Sequence, residues 1–378
     1  MPQSPIMKHL TLLTLPLLVA AAPAPLDKRQ MTGMTGKMGG AGAAFSILTG
    51  LWQVPAGNPQ VPLSTKALVA DIDTKAKREL LLWGPFILPA KNATHGRGVG
   101  IKLDPNSDAF GAKLSGLCKD CTVLFAEADI ANKDGSRADV GTGIYTHHII
   151  MVDYGRKMID NPVLPHCGTT GATGISPTTA QWLQNNLMPK ASVFIGGGGS
   201  GGSGGQFAVK GSDVKSGFHI AEKDSMLFTT ELVNYDNWDK EIYLRLDYEY
   251  LTGKPQGYLD VGIGAIDVDG CTASLEFHPP SDRAITIKSP VWEVIADGYL
   301  VRITPHLHDG GVDAKIFLNG EHVCTSNAIY GTSEGTREID GKKWETISGY
   351  TPCSNAIKIK KGDRLTMTSD YDLTKYTL

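Results

Sequence analysis

Apolar and polar positions alternate in short bursts along most of this chain. The runs YLRLDYEYL (243–251), AITIKS (284–289), YLVRITPHLH (299–308), AKIFLNGEHVC (314–324) and IKIKKGDRLTMTS (357–369) alternate or carry β-branched and aromatic residues, as strands do. The 44 glycines and 21 prolines supply the breaks between them. Helical periodicity is scarce, with TTAQWLQNNLM (178–188) the best short candidate. The pattern predicts an all-β protein of sandwich type. A strand run ends in glycine and proline at LTGKPQGY (251–258), which divides the chain into an N-terminal β domain, 49–253, and a C-terminal one, 254–378.

The start of the chain adds a location. Lys8 precedes the apolar run LTLLTLPLLVAAA, the layout of a secretory signal peptide, and the dibasic pair Lys28-Arg29 suits propeptide removal. Residues 1–29 are therefore set aside, and 30–48 read as a flexible leader rich in methionine and glycine, with Met31, Met34 and Met38 close together. No later run reaches the roughly 20 apolar residues of a membrane helix. A soluble, secreted, extracellular and monomeric protein is expected. A net charge of −3 offers no basic field for nucleic acid.

Six cysteines, Cys118, Cys121, Cys167, Cys271, Cys324 and Cys353, argue for disulfides in that compartment, with the connectivity open. Cys118 and Cys121 form a lone CxxC, read as a structural bridge. Asn92 opens the single sequon and marks an exposed, glycosylatable loop. The run GGGGSGGSGG (196–205) lacks a following GK[ST] and reads as a flexible surface loop.

The chemistry lies in the histidines. His306 and His308 are two apart in a predicted strand, so both imidazoles share a face and can grip one metal ion. His147 and His148 are adjacent, and regular strand geometry sends neighbours to opposite faces. They can share an ion only if the strand bulges. The HLHDGG segment fails the HxHxDH pattern of metallo-β-lactamases, and the only later histidine, His322, lies too close to serve as that of a cupin. A mature chain beginning at Gln30 lacks the N-terminal histidine of lytic polysaccharide monooxygenases.

An HH pair in the first half and an HxH pair in the second resemble the ascorbate-dependent type II copper monooxygenases. THHIIM is similar to that family's HHM segment and YLVRITPHLH to its HxH strand. TTELVNYDN and LRLDYEY resemble plant stress-upregulated nodulin-related proteins and their fungal secreted relatives. The resemblance implies two tandem antiparallel, jelly-roll-like β-sandwich domains with a cleft between them, and one or two copper ions. His147 and His148 would serve an electron-supplying site, His306 and His308 an oxygen-activating one.

The match is incomplete. Asn234 stands where the first site's third histidine belongs, which leaves His166 or His219 as substitutes. The second site's methionine falls past Leu378, with Met367 the nearby candidate. Thr304 replaces the arginine by which peptide-hydroxylating members hold a carboxylate. The expected function is a secreted copper-dependent monooxygenase-like protein that uses O2 and a reductant such as ascorbate on an extracellular small molecule or polymer. The alternative is a non-catalytic copper- or cell-wall-binding β-sandwich protein.

Overall fold

The computed structural model describes residues 57–93, 106–154, 191–197, 203–262, 266, 279–339, 341–353 and 355–375. The expected signal peptide, propeptide and leader, the helical candidate at 178–188, and His166, Cys167 and Cys271 lie outside the described residues.

Antiparallel sheets dominate, as the alternation predicts. One sheet contains β1 (Ser64–Leu68), β2 (Lys77–Leu88), β4 (Cys121–Ala131), β7 (Ser203–Gln206), β8 (Ser216–Ile220), β10 (Lys240–Thr252) and β11 (Leu259–Asp260). Its order is β1-β2-β10-β4-β8-β11, with β7 also on β4. A four-stranded sheet in the order β3-β9-β5-β6 comprises β3 (Asp108–Leu114), β5 (Ile144–Tyr154), β6 (Ala191–Gly197) and β9 (Ser225–Asn234). The two sheets share one apolar core. Trp83, Val123, Phe218, Leu244 and Tyr248 enter it from the first sheet, and Ile149, Met151, Phe194 and Phe228 from the second.

The remaining strands form a second group. β12 (Ile285–Lys288), β13 (Trp292–Glu293), β15 (Gly311–Leu318), β16 (Glu321–Ile329), β19 (Gly349–Tyr350) and β21 (Arg364–Tyr371) make a six-stranded sheet. Two small ladders join β14 (Gly298–Leu300) with β20 (Ile357–Ile359) and β17 (Thr336–Ile339) with β18 (Lys342–Glu345). A smaller core gathers Trp292, Val294, Ile316, Ile359 and Leu365.

Several predicted runs divide differently. AKIFLNGEHVC is a hairpin, because Asn319 and Gly320 both take positive φ (53° and 90°) and turn β15 into β16. YLVRITPHLH is strand only up to Leu300, followed by a lone bridge from Ile303 to Cys353. The glycine run is not simply a loop. Its ends complete β6 and open β7, where a side chain on Gly205 would strike the ring of Phe207.

Cys118–Cys121 and Cys324–Cys353 are disulfides, and no cysteine among the described residues is free. Asn92 is exposed just beyond β2. Among the described residues, no helix is long and apolar enough to cross a membrane.

The two groups of strands meet through the β17–β18 hairpin. Trp344 sets its ring edge-on to Tyr145 and Tyr235, with centroids 6.2 and 5.3 Å away. Arg337 pairs with Asp236, which also holds Lys240 at 2.7 Å. These contacts set the second group of strands against the end of the first that carries His147.

Candidate metal centre

The adjacent histidines sit where β5 pairs with β9, and the pairing is irregular there. Thr146 faces Leu232 and His148 faces Glu231, consecutive residues on β9, so His147 is the extra residue of a bulge. That irregularity brings both imidazoles to one carboxylate. Nδ1 of His147 lies 3.0 Å from Glu231 Oε2, and Nδ1 of His148 lies 3.4 Å from the same oxygen.

Glu231 is wholly buried, where an unpaired carboxylate would be costly. It is satisfied by His147 and by the Ser107 hydroxyl, which donates to Oε1. Ligand atoms of His147, His148 and Glu231 all fall within 4.8 Å of one another, close enough to hold a metal ion together.

The second histidine pair arrives on an irregular run, not a strand. Buried Leu307 separates two exposed histidines, so His306 and His308 still turn to one side. Backbone and side-chain contacts fix this run. The Leu307 amide donates to the Tyr350 hydroxyl (2.9 Å), which donates to the Leu307 carbonyl (3.1 Å). Asp309 accepts from Thr346 Oγ1 at 2.7 Å and from the Ile347 amide at 3.2 Å. Gly310, at φ 94°, takes the turn that leads into β15.

The two pairs meet. The His308 ring lies 5.7 Å from that of His147, His306 lies 5.3 Å from His308, and His147 lies 5.5 Å from His148. Tyr145 stacks on the far side of this group, 6.2 Å from His147.

Crowded imidazoles resist protonation. His306 is pushed down to about 4 by desolvation first, then by repulsion from His308, His147 and His148. Desolvation also lowers His148, against the pull of Glu231. At neutral pH His148 and His306 are neutral, the form that ligates metals.

Other sequence candidates lie elsewhere. Asn234 is buried and its amide is committed, donating to the Pro89 and Trp238 carbonyls (both 2.9 Å) and accepting from the Asp236 amide (3.0 Å). It shapes the turn after β9. His219 faces Asp120 at 3.2 Å beside the Cys118–Cys121 bridge. Met367 pairs with Ile316 and packs against the second core. Glu231 escaped the sequence reading, although an acidic residue inside the apolar run MLFTTELV was a signal.

Residues 211–377 match the family model for stress up-regulated Nod 19, a stretch that includes Glu231, His306 and His308. The chain is 25% identical over 296 residues to "Probable copper-dependent oxygenase M1" of Phoma sp., a match that covers 78% of the chain and 65% of that protein. It is 28% identical over 168 residues to "Probable copper-dependent oxygenase clz3" of Cochliobolus lunatus, covering 44% and 52%. The chain thus spans less than two thirds of the length of either relative. The solved structure of PNGF-II matches with a TM-score of 0.31 at 11% identity over 75% of this chain and 60% of that one, too distant to inform the site.

Proposed function

We propose that this chain is a secreted copper-dependent oxygenase in which His147, His148, His306 and His308 serve one copper centre. The observation that carries the reading is the meeting of His308 with His147 across two separate groups of strands. Nitrogen donors suit copper, and desolvation together with the neighbouring rings keeps His306 neutral, the form that ligates a metal. The names of the two relatives point to the same metal, and the N-terminal apolar run supports secretion.

Bound copper would supply one-electron chemistry and O2 activation, fed by an external reductant such as ascorbate. The chain's own part is to hold the imidazoles. The β5 bulge aims His147 and His148, while Tyr350, Asp309 and Gly310 fix the run that carries His306 and His308. Those last two rings are the exposed ones, which opens that side of the centre to an extracellular small molecule or polymer.

Ascorbate-driven oxygen consumption by the copper-loaded protein, lost in His306→Ala, is the expected result. Copper bound without turnover would make the chain a binder, and no copper bound at all would sink the proposal. A second reading has its own observation. His147, His148 and Glu231 form a two-histidine, one-carboxylate group, the donor set of non-haem iron oxygenases.

A further inference from the structure

Resting on the copper reading of this site, we propose that Glu231 stands behind the metal as a positioning residue. Its Oε2 accepts the Nδ1 proton of His147, lies 3.4 Å from Nδ1 of His148, and leaves both Nε2 atoms for the ion. Ser107 is the next link, since its hydroxyl holds the other carboxylate oxygen. The chain Ser107–Glu231–His147/His148 fixes the tautomer and the swing of both rings, and the centre becomes all-nitrogen.

Three observations favour this over direct ligation. The first is a gradient of burial. Glu231 is fully enclosed, His147 is 8% exposed, the His148 side chain is 23% exposed, and His306 and His308 are exposed outright. An ion on Oε2 and the two Nδ1 atoms would occupy the closed end of that gradient, whereas O2 and substrate arrive at the open end.

The second is the occupancy of the carboxylate. Oε1 takes the Ser107 hydroxyl and Oε2 already faces two ring nitrogens, the nearer at hydrogen-bond distance. The third is the presence of two more imidazoles beside His147. A carboxylate-bound ion at the Nδ1 edges would leave their crowding without a purpose. A metal-bound imidazole commonly donates its other N–H to a carboxylate, and loss of that partner costs roughly 10–100-fold in metal affinity.

The test is long-range proton–nitrogen correlation on the full chain labelled at histidine, without metal and with Cu(I), which is diamagnetic. The expected spectrum shows His147 and His148 protonated on Nδ1 in both forms, with Nε2 shifted on Cu(I) addition. Glu231→Gln and Ser107→Ala should keep one equivalent of copper, with affinity reduced roughly 10–100-fold for the first and less for the second. Ser107→Ala, the milder change, keeps the test usable if the glutamate variants fail to fold.

Metal-shifted Nδ1 with protonated Nε2 would overturn the proposal. So would an oxygen ligand on copper in the wild type that disappears in Glu231→Gln. If wild-type protein binds no Cu(I), the copper reading fails. The metal-free spectrum still decides the Glu231 claim, because Nδ1–H on His147 supports the carboxylate contact and Nε2–H refutes it.

Discussion

His308 stands edge-on to His147, their ring centroids 5.7 Å apart at 73°, although one lies on the β5 bulge and the other precedes β15. Resemblance to the type II copper monooxygenases implies two sites facing one another across a cleft. This contact draws the histidine pairs into a single cluster.

One copper per chain is the stoichiometry expected of such a cluster. Equilibrium dialysis followed by elemental analysis should give one equivalent for the wild type, and His147→Ala and His308→Ala should each weaken that same ion by at least about 10-fold, the loss of a ligand exceeding that of a ligand's partner. Two equivalents, with each variant losing a different one, would restore the two-site arrangement.

Acid should destabilise the metal-free protein through His306. Its folded value, about 4, lies below the ordinary 6.5, so the unfolded chain binds the extra proton between them. Stability from this group is therefore complete above pH 6.5 and is lost as the pH falls towards 4. Melting temperatures measured with chelator across that window should fall more steeply for the wild type than for His306→Asn. Parallel curves would show that the imidazole is not held neutral.

Asn234→Ala should separate architecture from ligation. Removing its amide leaves the Pro89 and Trp238 carbonyls and the Asp236 amide without their partner, at a cost of about 1–3 kcal/mol in chemical denaturation. Copper content of the folded fraction should not change. A variant that folds normally but loses its metal would return Asn234 to the ligand set.

The Cys324–Cys353 disulfide should matter to the centre as well as to the fold. Its ends are 29 residues apart, and closing such a loop stabilises by roughly 3–4 kcal/mol in the chain-entropy account. The Cys353 carbonyl also receives the Ile303 amide at 3.0 Å, close to where the run towards His306 begins. Cys324→Ser with Cys353→Ser is expected to unfold at lower denaturant and to bind copper several-fold more weakly than wild type at pH 7. Unchanged affinity would show that Tyr350 and Asp309 hold the run unaided.

Strand periodicity was legible because alternation reports a half-buried sheet directly, as at β10. Turns hidden inside those runs were less so. Asn319-Gly320 is a hairpin signal within an apparently continuous strand, and Pro305 lies in a run that leaves its ladder after Leu300. The four imidazoles could be named from local pattern, as could the need for a bulge at His147. Their convergence depends on how Trp344 and Arg337 dock one group of strands against the other, and that is not written in any local stretch. Glu231 stayed hidden because its partners lie on another strand and on the segment before β3.

The β5 bulge also bears on how such a centre could arise. Pairing with β9 continues without slippage on both sides of His147, from Ile144–Asn234 to Thr146–Leu232 and again from His148–Glu231 to Tyr154–Ser225. Deleting that one codon would leave an ordinary strand in the same register, with every other partner retained. Gain or loss of the paired imidazoles is thus one in-frame codon away, and the backbone register of the sheet is the same in either state.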